Sequence, residues 1–304
     1  MSLCSTKTSD SFKLVHFNKP QVVGFVLRED GCTVCIEDKD DTVEGIVAMC
    51  RELTNEITPI EVKFGNMKQA FEFHPGFYPP PLLLHYDYDA NKPVENSIIQ
   101  HIHKLFGQTL PIGLIIEEEQ SFDDIPLYEK VMEVHVDCTV TAEIMEYIHK
   151  HPDVTVLFLN EKLSVAPEVS EIQNVYIKKA EEFAGTILRS FNARSLFFQD
   201  AYCNNEDILA FLNRWKNNSG YQSLVFVSID SETPLDSDAI LSQIETTPYD
   251  ETTRPATHIH HCPSYYGGSP WETDTKEYRD IRRVDGKLAS FSVEENFFEF
   301  RVWD

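Results

Sequence analysis

A chain of 304 residues with 50 acidic and 26 basic side chains carries a formal net charge of -24, and its 42% hydrophobic content suffices for a sizeable core. Such a field repels nucleic acid phosphates and anionic lipid surfaces, so neither nucleic acid nor membrane is expected as a partner, and a protein or something basic is. No N-terminal run has the make-up of a secretion signal and no apolar stretch nears the ~20 residues that cross a bilayer, so the expected location is cytoplasmic or nuclear.

Seven cysteines, Cys4, Cys32, Cys35, Cys50, Cys138, Cys203 and Cys262, lie at irregular spacing and read as reduced thiols. The sequon at Asn217 is then not expected to be glycosylated.

Taken in chain order, residues 11–93 form a β-rich segment. Asp30-Gly31 stands between the runs VVGFVLR and CTVCIED, the dipeptide that best supports a tight hairpin. EVKF and AFEF continue as strands, and Pro79–Pro81 cannot lie within a central strand, so the segment boundary is placed between Pro79 and Pro93. VENSIIQHIHKLFG then places Ile98, Ile99, Ile102, Leu105 and Phe106 on one helical face before the stop residue Gly107.

From there short apolar runs start at Leu114, Val134, Leu157, Val175, Leu196 and Leu224. Amphipathic or irregular stretches separate them. TAEIMEYIHKHP and NNEDILAFLNRWKNN read as helices, the second with Ile208, Leu209, Phe211, Leu212 and Trp215 as its buried stripe, and DSDAILSQI as a further helix. A strand and a returning helix repeated about every 20 to 29 residues predict an α/β fold: a short, degenerate leucine-rich-repeat-like solenoid with parallel strands and outer helices. An ordinary βα domain with similar element lengths fits the same spacing. The tail returns to β character, with hairpins over 276–304 closed at Asp285-Gly286 and Glu294-Glu295-Asn296, and FFEFRVW as a half-buried strand.

The ordered set ARSLFFQDA, NNEDILAFLNRWKNN, LVFVSID and DIRRVDG resembles the F-box-associated domain, type 2, of the large nematode families of F-box proteins. The resemblance covers residues 94–304, more weakly upstream. In that family an F-box precedes the domain and binds the Skp1-type adaptor of a cullin-based ubiquitin ligase. Here only Ser2–Thr8, SLCSTKT, is similar to its last piece, so residues 1–10 read as its remnant. The resemblance implies a non-catalytic protein-binding module: the substrate-recognition part of a ubiquitin-ligase receptor, with an unidentified target protein as partner. A Skp1-type adaptor is a partner only if an F-box lies upstream. The alternative is a stand-alone or competing receptor uncoupled from the ligase.

Two candidate sites follow from the residues. In THIHHCP, Thr257–Pro263, an extended backbone turns His258, His260 and Cys262 to one side, which would suit a zinc-dependent enzyme. The cluster lacks a second ligand pair, and the Pro, Gly and Thr around it predict a surface loop, so no metal and no cofactor is expected. CTVC lies in a strand after a hairpin rather than at a helix start, which disfavours a redox pair. No nucleophile elbow or phosphate-cradling glycine loop is present, and no enzyme is expected.

The other candidate is the sheet. If the apolar-x-apolar positions point into the solenoid, His135, Phe158, Tyr176, Phe197 and Val225 project from the opposite face, with Glu133, Asp137, Asn160, Lys178 and Gln199 flanking them. An aromatic row with a polar edge suits protein binding, His135, Phe158, Tyr176, Phe197 and Lys178 being the contact residues expected. Covered by the N-terminal strands or the C-terminal cap, the same row would be a second core.

Overall fold

The computed structural model describes residues 111–303, apart from 120–121, 123–126 and 262–269, and the strands within 22–85. The remnant at 1–10, the proline run 79–81, the helix expected over 94–107 and Cys262 fall outside the described residues. Two compact units are present. The first holds the described residues up to His135 and Tyr147–Val154; the second holds Val136–Glu146 and the remaining described residues from Thr155 onward.

In the first unit β1 (Val22–Arg28), β2 (Gly31–Glu37), β3 (Val43–Cys50), β6 (Leu82–His85), β7 (Ile112–Ile116) and β8 (Val131–Val136) form a sheet in the order β6-β3-β2-β1-β7-β8, and β4 (Ile60–Phe64) with β5 (Met67–Phe71) makes a separate hairpin. The Asp30-Gly31 signal corresponds to the antiparallel β1–β2 pair, with Arg28 opposite Gly31. β1 also pairs in parallel with β7. Phe25 stacks on Tyr128 at 4.8 Å, and His151 donates Nδ1–H to the Tyr128 carbonyl at 3.1 Å. Burial of His151 holds its pKa below the ordinary imidazole value.

The second unit is a mixed α/β structure. β9 (Val156–Leu159), β10 (Asn174–Ile177), β11 (Ser195–Ala201) and β12 (Phe226–Ser231) lie side by side in chain order, all parallel. The tail adds β17 (Phe297–Val302), β16 (Leu288–Glu294) and β15 (Arg279–Arg282), each antiparallel to its neighbour, so the expected C-terminal hairpins extend the sheet in its own plane. Gly286, at φ +94°, makes the β15–β16 turn that a side chain would strain.

Helices α1 (Ala142–His149), α2 (Ala184–Ser190), α3 (Asn205–Lys216) and α4 (Ser237–Leu241) are found among the described residues. Asn204 starts α3 with a capping box: its Oδ1 accepts from the N–H groups of Glu206 (2.9 Å) and Asp207 (3.1 Å), and Asp207 accepts from the Asn204 N–H. Ile208, Phe211, Leu212 and Trp215 are buried as the periodicity predicts, whereas Leu209 sits at the margin of the stripe, half-buried. Phe211 and Trp215 meet Phe300 edge-on at 5.0 and 5.1 Å, which seats α3 on β17.

β17 departs from the half-buried strand expected of FFEFRVW. Phe298 and Phe300 face α3, while Glu299 and Arg301, also buried, face the other way. A second layer covers that face. It is the ribbon formed by β13 (Thr257–His260) and β14 (Trp271–Asp274), which pair antiparallel with His260 opposite Trp271. The expected surface loop at 257–260 is thus a strand, because pairing with a distant segment satisfies its backbone and Arg301 reaches up to its side chains.

Candidate protein-binding face

Register decides which side chains share a face. Leu157, Val175, Leu196 and Val227 stand at one level of the parallel run and Leu159, Ile177, Phe198 and Ile229 at another, all fully buried on one face. Alternation turns the residues between them to the opposite face. There Phe158, Tyr176 and Phe197 occupy one level on three adjacent strands. Their rings stack at 4.3 Å between centroids for each pair, with interplanar angles of 13° and 12°. This aromatic ladder is the most regular feature of the second unit, each stack contributing ~0.5–1.5 kcal/mol beyond area burial.

On β12 the ladder changes. The residue level with Phe197 is Ser228, not Val225, which precedes the strand; Phe226, one level below, supplies the ring, at 4.7 Å from Phe197. A small offset in the strand's start moves the whole alternation. Phe158 and Tyr176 are half-buried and Phe197 is 9% exposed. One level above, Lys178 and Gln199 are exposed and Asn160 donates to Asp137 at 2.6 Å, forming the polar edge. Lys179 pairs with Glu161 beside it, holding that carboxyl below its usual pKa.

His135 belongs to the first unit, where its Nε2 lies 2.7 Å from the Glu133 carboxylate. Glu133 is wholly buried rather than part of a polar rim. The sheet face therefore brings together Phe158, Tyr176, Phe197 and Lys178 of the expected residues. What residue order alone misses is the cover on the ladder's far end. Trp271 meets Phe197 edge-on at 5.3 Å, and His260 stacks on Phe226 at 4.4 Å.

Arg301 fastens that cover. It donates Nε–H to Glu299 at 2.6 Å, Nη1–H to His258 Nδ1 at 3.1 Å and Nη2–H to Thr273 at 2.6 Å, and its guanidinium lies 4.7 Å over Phe226. Tyr278 donates to the same Glu299 carboxylate at 2.5 Å. Burial and this acceptor drive the phenol pKa upward. Arg254, equally buried, holds Asp280 through Nε at 2.8 Å and Thr275 through both Nη groups.

The zinc reading meets a physical obstacle here. His258 and His260 do face one side, as the alternation predicts, but His258 Nδ1 is occupied by a guanidinium, and His260 lies between rings close to the same cation. A metal ion there would face a fixed positive charge. No group of three or more metal-binding side chains occurs among the described residues.

A groove elsewhere in the unit, lined by Lys216, Glu245, Tyr249, Asp280, Arg282 and Arg283, has most of its charges paired: Lys216 with Glu245, Asp280 with Arg254, Arg283 with Asp285, while Arg282 donates to the Gly286 carbonyl. Burial raises the Cys203 thiol to about 12, leaving it unreactive at neutral pH. Among the described residues no helix is long and apolar enough to cross a membrane.

Comparison of the chain with known protein families, with curated proteins and with solved structures gives no match.

Proposed function

We propose that the second unit is a non-catalytic protein-recognition module, and that it forms the target-binding part of a receptor for a cullin-based ubiquitin ligase. The first half of this reading is carried by the ladder: Phe158 and Tyr176, stacked at one level of adjacent parallel strands, half-buried, and bordered by exposed Lys178 and Gln199. Stacked rings lose little conformational entropy on contact, and aromatic anchors inside a polar border are the usual carriers of interface energy. The second half rests on the resemblance of residues 94–304 to the F-box-associated domain, type 2. In this reading β9–β12 are the repeats of a short leucine-rich-repeat-like solenoid acting in the cytoplasm or nucleus.

Affinity capture with cross-linking, comparing the wild-type chain with Phe158→Ala/Tyr176→Ala, tests both halves. The reading expects a protein partner lost from the double variant and, for ligase coupling, a Skp1-type adaptor and cullin with the wild type. A partner retained equally by both chains removes the ladder from the interface. Partner capture without adaptor or cullin leaves a stand-alone receptor.

A further inference from the structure

The ribbon β13–β14 touches the sheet of the second unit through a small set of groups, and two of them are histidines. On its inner side His258 receives the Arg301 Nη1–H and meets Trp303 edge-on at 4.8 Å. His260 is 4% exposed, stacks on Phe226 and has a buried Nε2 without a hydrogen-bond partner. The outer side carries Ile259 and Glu272, paired in register and both exposed. Contact with the sheet therefore runs through imidazoles, the Arg301 guanidinium and the Trp271 ring rather than through aliphatic packing.

We propose that this ribbon is a releasable cover over the Phe197–Phe226 end of the aromatic ladder, closed at neutral pH and opened when its inward histidines take up protons. The proposal deepens the protein-recognition reading and rests on it for biological meaning: opening would lengthen the accessible ladder from Phe158 and Tyr176 to include Phe197 and Phe226.

The electrostatics around the ribbon favour release. The charges that act on His260 are those of Arg301 on β17, Arg194 just before β11, and His258 and His261 on its own segment. Glu299 already serves Arg301 and Tyr278, and Glu272 and Asp274 of β14 are exposed. A proton on His260 thus enters a predominantly cationic surround with no acceptor at Nε2. A proton on His258 Nδ1 removes the acceptor that Arg301 uses and sets two cations 3.1 Å apart. Burial first, and Arg301 next, hold the His260 pKa at about 4 against an ordinary 6.5.

The sign follows from the depressed value. The opened ribbon binds more protons than the closed one between these two pKa values, so closure is complete above about 6.5 and weakens as pH falls towards about 4. His260 alone then raises the opening equilibrium roughly 20-fold between pH 7 and pH 5.

Amide hydrogen exchange of the full chain at pH 7 and pH 5, corrected for intrinsic rates, reads the opening directly at Thr257–His260 and Trp271–Asp274. The expected result is about a 20-fold loss of protection there with β10 and β11 unchanged. His260→Phe keeps a ring on Phe226 without a titrating nitrogen, and His258→Asn keeps an acceptor for Arg301; each should reduce the pH response. Protection of the ribbon that does not change with pH, or a loss shared equally by β10 and β11, overturns the proposal. Since no partner is present in this experiment, a ribbon that opens in a chain that captures nothing would leave the cover standing and sink the recognition reading instead.

Discussion

Arg301→Met is the sharpest test of how the second layer is held. The substitution removes the cation from a site 1% exposed and leaves the Glu299 carboxylate, 7% exposed, with only the Tyr278 hydroxyl at 2.5 Å. It also removes the donors to His258 and Thr273. Breaking a buried pair by deleting one partner costs ~3–5 kcal/mol, because the remaining charge stays desolvated and uncompensated. Exchanging the whole polar set for apolar groups of similar size avoids most of that cost. The triple variant Arg301→Met/Glu299→Leu/Tyr278→Phe should therefore recover at least ~2 kcal/mol of the loss. Urea unfolding followed by tryptophan fluorescence is a suitable assay, since Trp215, Trp271 and Trp303 all lie in the second unit. A single variant that loses less than ~1 kcal/mol, or a triple variant no better than the single, would show that the charges are not buried and paired as described.

Asn204→Ala removes both acceptor contacts at the start of α3 and should lower stability by ~1 kcal/mol in the same assay. Trp215→Ala empties the largest buried side chain beside Phe300 and should cost ~3–5 kcal/mol, measured as a fall in Tm or in the urea midpoint. Gly286→Val forces a β-branched side chain to φ +94° and should cost ~1–2 kcal/mol, with a smaller penalty for Gly286→Asn. Cys203 should resist thiol reagents at pH 8 in the folded chain and react once urea unfolds it, as its pKa of about 12 requires.

What the residue order discloses, and where it stops, follows from interaction range. The α3 stripe and its cap are local, so Asn204, Asp207 and the spacing of Ile208, Phe211, Leu212 and Trp215 announce them. The Asp285-Gly286 hairpin is equally local, with Arg282 pairing Leu288 across it. Parallel neighbours β9 to β12 follow from the recurrence of apolar-x-apolar runs, and with them the alignment of Phe158, Tyr176 and Phe197. Ser228 and Phe226 stand in place of Val225 because the inward level equivalent to Leu196 falls on Val227 rather than Leu224, an odd shift of three residues that exchanges the two faces and that hydrophobicity alone does not fix.

The ribbon was hidden for a different reason. Thr257–His260 has loop-like surroundings in sequence and becomes a strand only by pairing with Trp271–Asp274 and docking on Arg301, more than 40 residues on. Glu299 and Arg301 look like the solvent side of an alternating strand, and are buried because that ribbon lies over them. Glu133 likewise looks like a rim residue and is buried against His135.

The central claim is that the half-buried rings of the ladder meet another protein. Oxidative footprinting of the chain with and without a captured partner reads the modification of Phe158 and Tyr176 directly. The account predicts that both rings, together with Lys178 on the neighbouring edge, become protected on binding. Protection confined to other surfaces, with Phe158 and Tyr176 modified as readily in the complex as in the free chain, would contradict it.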